Sequence, residues 1–101
     1  MLTVEEIKRR IIPVLEKYNV DGAVLFGSYA KGTAHEESDV DLLIKSKLKG
    51  ADFGALKIAI GEALYLYDTD IFNTRYIIEG GRIDQEIKKY GILIYGRVAG
   101  Y

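Results

Sequence analysis

The chain has 101 residues, 49% hydrophobic and 29% charged, with a formal net charge of −1. That length accommodates one hydrophobic core but not a core plus a separate substrate-binding domain, so residues 1–101 are expected to form a single domain. The balanced charge gives no electrostatic basis for general nucleic-acid binding, the lack of cysteine excludes disulfides and thiolate metal sites, and the apolar runs are too short to span a membrane.

The N-terminal MLTVEEIKRR lacks a signal-peptide core, which points to the cytoplasm. Within it, Thr3 and Glu6 have the spacing of a capping box. Val4, Ile7, Ile11, Leu15 and Tyr18 then recur at helical intervals, predicting an amphipathic helix over 3–18. Pro13 lacks a backbone donor and is expected to kink or split that helix. Asn19 to Gly22 reads as its exit turn. Ala23 to Phe26, bounded by glycines, reads as a buried strand. Gly27-Ser28 turns into a short segment, Tyr29 to Lys31, closed by Gly32, and Thr33 to Ser38 is a polar loop. Val40 to Lys45 is the next strand and Lys47 to Ala51 a loop. Phe53, Leu56, Ile60, Ala63 and Leu64 predict a helix from Asp52 to about Tyr65. Tyr67 to Asn73 is β-branched and aromatic, a third strand. Arg75 to Ile78 has no clear pattern, Glu79-Gly80-Gly81 is a break, Arg82 to Lys89 is helical, Tyr90-Gly91 closes it, and Ile92 to Tyr95 is a last strand. The order predicts a mixed α/β domain, a small sheet flanked by helices. Scarce Met, Asn and Gln beside abundant Lys, Glu, Tyr and Ile lean towards a thermophile.

Chemistry concentrates between Phe26 and Ile44, FGSYAKGTAHEESDVDLLI. Residues two apart on a strand share a face, so Asp39 and Asp41 stand side by side at the start of a strand. Carboxylates this close resist joint ionisation unless a cation lies between them. With oxygen donors only, a hard divalent ion fits, Mg²⁺ foremost and Mn²⁺ as an alternative. Mg²⁺ held by one or two carboxylates completes its shell with water and substrate phosphates. The Gly27-Ser28 turn offers backbone N–H groups and a hydroxyl to such a phosphate. Asp68 and Asp70, also two apart, supply candidates for a third carboxylate that accepts a proton or helps hold a second ion about 4 Å from the first. Singly, each feature is also what a plain turn or a solvated strand edge shows; together and in this order they describe a site for a metal-bound nucleoside triphosphate. His35, beside Glu36 and Glu37, reads as a solvated loop residue, Ser38 as a cap on the turn before Asp39, and the eight tyrosines as core packing and surface.

Gly27-Ser28, ten intervening residues and Asp39-Val40-Asp41 resemble the G-S-x(10)-D-x-D signature of the DNA polymerase beta type of nucleotidyltransferase. Leu25-Phe26 before it, Lys31-Gly32 in the turn, Ser38, and Leu42-Leu43-Ile44 after it extend the match. The size and the terminal Gly91-Ile92-Leu93-Ile94-Tyr95 stretch resemble the minimal nucleotidyltransferases, MNT, over nearly the whole chain. The resemblance implies the nucleotidyltransferase fold and an ATP-dependent enzyme. Asp39, Asp41 and Asp70 would be its catalytic metal ligands, Asp70 fitting the third-carboxylate pattern in Thr69-Asp70-Ile71-Phe72 better than Asp68. Gly27, Ser28 and Lys31 would be its nucleotide contacts. It departs from the family at Tyr29 and Lys31, where Arg is frequent; lysine lacks the bidentate fork. The resemblance also implies a partner, a small helical HEPN-type toxin, with the MNT protein an antitoxin that silences it by transferring AMP to a tyrosine (AMPylation). A module that neutralises by docking alone, and a small-molecule nucleotidyltransferase completed by another subunit, are the alternatives. No direct contact with nucleic acid or membrane is expected.

Overall fold

The computed structural model describes residues 1–100; Tyr101 lies outside the described residues. Helix α1 covers Val4–Lys17 and begins at a complete capping box: the Thr3 hydroxyl accepts from the Glu6 N–H at 3.1 Å and the Glu6 carboxylate from the Thr3 N–H at 3.0 Å. Ile7, Ile11 and Leu15 bury its inner face. Of the kink or split expected at Pro13, the split does not occur: α1 runs through it. Pro13 and Arg9 both face solvent, so the carbonyl that proline leaves without a donor is open to water, while Ile11 and Leu15 pin the flanking turns to the core.

Asn19 turns with φ +55°, and the chain enters β1, Gly22–Phe26, buried at every position. A five-residue helix, α2, Gly27–Lys31, stops at left-handed Gly32. Then come β2, Val40–Lys45; α3, Gly50–Ala63; β3, Thr69–Asn73; a 3₁₀ turn at Thr74–Tyr76; α4, Arg82–Tyr90; and β4, Ile92–Gly96. The elements follow the predicted order. Helix α3 starts and ends two residues early, and β3 begins at Thr69 because Leu66, with φ +77°, reverses the chain first. The first half of the unpatterned 75–78 stretch belongs to the 3₁₀ turn, started by Asn73, whose side chain accepts from the Arg75 N–H.

The sheet order is β3-β2-β1-β4, with β1 antiparallel to β2 and β4 and β2 parallel to β3. Its two faces are covered differently. On one face Ala23, Leu25, Val40, Leu42, Ile44 and Ile94 pack with residues of α1 and α3 such as Ile11, Leu15, Leu56 and Ile60. Each such fully buried aliphatic side chain contributes roughly 1.5–3 kcal/mol. On the other, Val24, Phe26 and Leu43 meet Ile87 of α4 and Val98, with Phe72, Ile77 and Ile83 at the margin. This thinner layer leaves the ends of β2 and β3 uncovered. No helix among the described residues is long and apolar enough to cross a membrane.

Candidate active site

The alternation of β2 decides where the acidic pair points. Val40, Leu42 and Ile44 face α1 and α3, so Asp41 stands with Leu43 on the α4 side, and Asp39, just before the strand, shares that direction. The parallel pairing brings in the third group: Asp70 of β3 is the register partner of Asp41. One carboxylate oxygen each from Asp39, Asp41 and Asp70 lie within 4.8 Å of one another. Asp68 is outside this group; its main-chain carbonyl instead accepts from the Val40 N–H at 2.8 Å, fixing where the two strands start together.

Asp41 is half-buried between exposed Asp39 and Asp70. Phe26 is its partner on β1, and the Phe26 and Phe72 rings meet across β2 with centroids 5.6 Å apart. The Asp41 carboxyl is raised from 3.8 to about 6, first by burial, then by the negative charges of Asp70, Asp39 and Glu86, against a smaller opposing pull from Lys31. Oxygen-only donors, mutual proximity and a carboxyl that resists ionisation fit a hard divalent cation.

Gly27 belongs to this geometry. Its φ is +72°, and a side chain there would collide with Asp41 Oδ2. The glycine lets the backbone approach the Asp41 carboxylate closely. Half-buried Ser28 follows it on α2. Tyr29, where the family often has Arg, is buried in the α1–α3 core and faces away from the carboxylates. Lys31 is already engaged: its ammonium lies 2.7 Å from Glu86 of α4 and 5.3 Å from the centre of the Tyr90 ring. Ser38 caps its turn as expected, its hydroxyl accepting from the His35 N–H at 2.9 Å, and His35 is exposed, its Nδ1 accepting from the Glu37 N–H.

A pocket of about 620 Å³ opens beside the acidic group. Asp41 and Asp70 line it together with Phe26, Phe72, Tyr76, Ile83, Arg82 and Glu86. Sequence reading missed Arg82 and Glu86. Their spacing of four on a predicted helix was visible; that α4 folds back beside β1 and α2 was not. Of the tyrosines, Tyr29 is buried, Tyr18, Tyr67 and Tyr95 pack partly on the core, and Tyr65, Tyr76 and Tyr90 are exposed.

A mixed four-stranded sheet with helices on both faces and acidic residues gathered where parallel β2 and β3 begin is the architecture of a nucleotidyltransferase. The chain belongs to the family described as Polymerase beta, Nucleotidyltransferase, which matches residues 9–99. Two candidate protein adenylyltransferases of Methanocaldococcus jannaschii are 48% and 50% identical to it, each over 44 residues. Those matches cover 44% of this chain and 47% and 43% of the relatives, so the matched segment spans under half their length. Among solved structures, a toxin–antitoxin complex with AMP-PNP contains a chain that superposes with a TM-score of 0.73 at 26% identity, covering 89% of this chain and 73% of that one. A Shewanella oneidensis complex of tri-AMPylated HEPN toxin with MNT antitoxin shares the fold, with a TM-score of 0.68 at 21% identity over 92% of this chain and 72% of that one.

Proposed function

We propose that the chain transfers AMP from ATP to a protein hydroxyl, and that it acts as the antitoxin of a HEPN-type toxin whose tyrosine is the acceptor. The observation that carries this reading is the convergence of Asp39, Asp41 and Asp70. The likeness to a chain from a toxin–antitoxin complex with AMP-PNP, and to relatives described as adenylyltransferases, supports the substrate and the partner class. In this reading residues 1–101 work as one nucleotidyltransferase unit, in the cytoplasm.

Asp39, Asp41 and Asp70 would hold Mg²⁺, with Mn²⁺ able to replace it. Bound there, a divalent ion supplies charge neutralisation for the triphosphate and for the attacking and leaving oxygens of an in-line displacement. The chain's residues do the rest. Gly27 and Ser28 offer main-chain N–H groups and a hydroxyl to the phosphates beside Asp41. Lys31 adds positive charge at the end of α2, steadied by Glu86. Asp70, exposed at the start of β3, takes the proton of the acceptor hydroxyl. The hydroxyl oxygen forms a bond to the α-phosphorus, the bond from that phosphorus to the bridging oxygen breaks, and pyrophosphate leaves.

The test is the intact mass of the cognate HEPN protein after incubation with this chain, ATP and Mg²⁺, against an Asp39→Asn/Asp41→Asn control. A gain of one or more AMP units, lost in the control, supports the reading. A stable complex with no gain in mass overturns AMP transfer in favour of neutralisation by docking.

A further inference from the structure

The site has a cation that the signature motif does not contain. Arg82 and Glu86 stand four residues apart on α4 and both line the pocket beside Asp41 and Asp70. Arginine and glutamate at that spacing are natural partners. Here Glu86 pairs with Lys31 from α2 instead, at 2.7 Å. Arg82 is left without an ion pair among the described residues, although three carboxylates share its pocket. It is also the cationic side chain in the pocket lining, which Lys31 does not reach.

The turn before Arg82 is clamped. The Gly80 N–H donates to the carboxylate of buried Asp84 at 2.9 Å, and the Gln85 side-chain amide donates to the Gly80 carbonyl at 2.7 Å. The start of α4 is therefore held in place, and the Arg82 backbone with it, before any ligand arrives. An arginine kept at an acidic, partly apolar pocket yet unpaired with its acids is suited to an anion brought in from outside.

We propose that Arg82 binds the polyphosphate of the incoming nucleoside triphosphate, supplying the bidentate cation that Lys31, committed to Glu86, does not. This rests on the nucleotidyl-transfer reading above and adds a phosphate-recognition residue from α4. A guanidinium–phosphate contact contributes about 1.5–3 kcal/mol, roughly a 10- to 100-fold change in affinity.

The experiment is direct binding of Mg-ATP, AMP and adenosine to the wild-type chain, Arg82→Ala and Arg82→Lys, with thermal melts to check folding. The expected result is Mg-ATP binding roughly 10- to 100-fold weaker in Arg82→Ala, a smaller loss for AMP, none for adenosine, and partial recovery in Arg82→Lys. Arg82 is exposed, so the melts should coincide. Unchanged Mg-ATP binding in Arg82→Ala overturns the proposal while leaving the nucleotidyltransferase reading intact. Equal losses for ATP and adenosine overturn it too, placing Arg82 against the nucleoside. Failure of the wild-type chain to bind Mg-ATP overturns both.

Discussion

Asp41 and Asp70 are register partners across the parallel pair β2–β3, and through that pairing two segments 29 residues apart present carboxylates to one point. Asp68 belongs to the same strand region but falls outside the acidic group. Asp70→Asn is therefore expected to lower the transfer rate by on the order of 10²–10⁴, and Asp68→Asn to change it by no more than a few-fold. Initial rates of AMP incorporation for the two variants check this. The reverse ranking would move the third carboxylate to Asp68.

The raised Asp41 carboxyl makes a pH prediction whose sign is fixed. Its folded value, about 6, lies above the ordinary 3.8. The stabilising contribution of the protonated form is complete below the ordinary value and is lost as pH rises through 6. In chelator at pH 7.5, Asp41→Asn should thus melt at a higher temperature than wild type, and the gap should close near pH 4. Divalent-ion affinity should strengthen as pH rises through 6, because the proton and the cation compete for one carboxylate. Melting curves and Mn²⁺ titrations from pH 4 to 8 measure both.

Gly27 and Gly32 separate backbone strain from site geometry. Both are left-handed, at +72° and +77°, but a side chain at Gly32 meets nothing within 4 Å while one at Gly27 runs into Asp41. Gly32→Ala should cost about 1 kcal/mol of stability and leave Mn²⁺ affinity alone. Gly27→Ala should cost more, about 2–3 kcal/mol, and weaken Mn²⁺ binding by displacing Asp41. Denaturant melts and Mn²⁺ titrations on both variants decide. Equal Mn²⁺ affinities would contradict the role given to Gly27.

These residues mark how far the sequence could be read. The glycine–serine turn, the paired aspartates and the strands bearing them follow from local alternation and spacing, and the element order with them. The choice of Asp70 over Asp68 rested on a family resemblance, because register between β2 and β3 depends on non-local pairing that no local pattern encodes. The engagement of Lys31 by Glu86 was invisible for the same reason: the two lie 55 positions apart and meet only because α4 returns beside α2. Pro13 does not split α1, and the spacing of Ile7, Ile11 and Leu15 already pointed to one continuous buried face; that the proline side of the helix faces water was not legible locally.

The Lys31–Glu86 pair should couple measurably. Both side chains are about one-third exposed, 34% and 28%, so screening limits the pair. A double-mutant cycle with Lys31→Met and Glu86→Gln is expected to give about 0.5–1 kcal/mol in denaturant melts, shrinking with added salt. Coupling near zero at low salt would show that this pair does not hold the two helices together.

The most direct measurement of AMP transfer is label position. The cognate HEPN protein is incubated with this chain, a divalent cation and ATP labelled at either the α- or the γ-phosphorus, and protein-bound label is counted. The expected result is label on the partner from α-labelled ATP, none from γ-labelled ATP, and loss of both label and released pyrophosphate in Asp41→Asn. Label from the γ position, or none from the α position while the two proteins still form a complex, would contradict it.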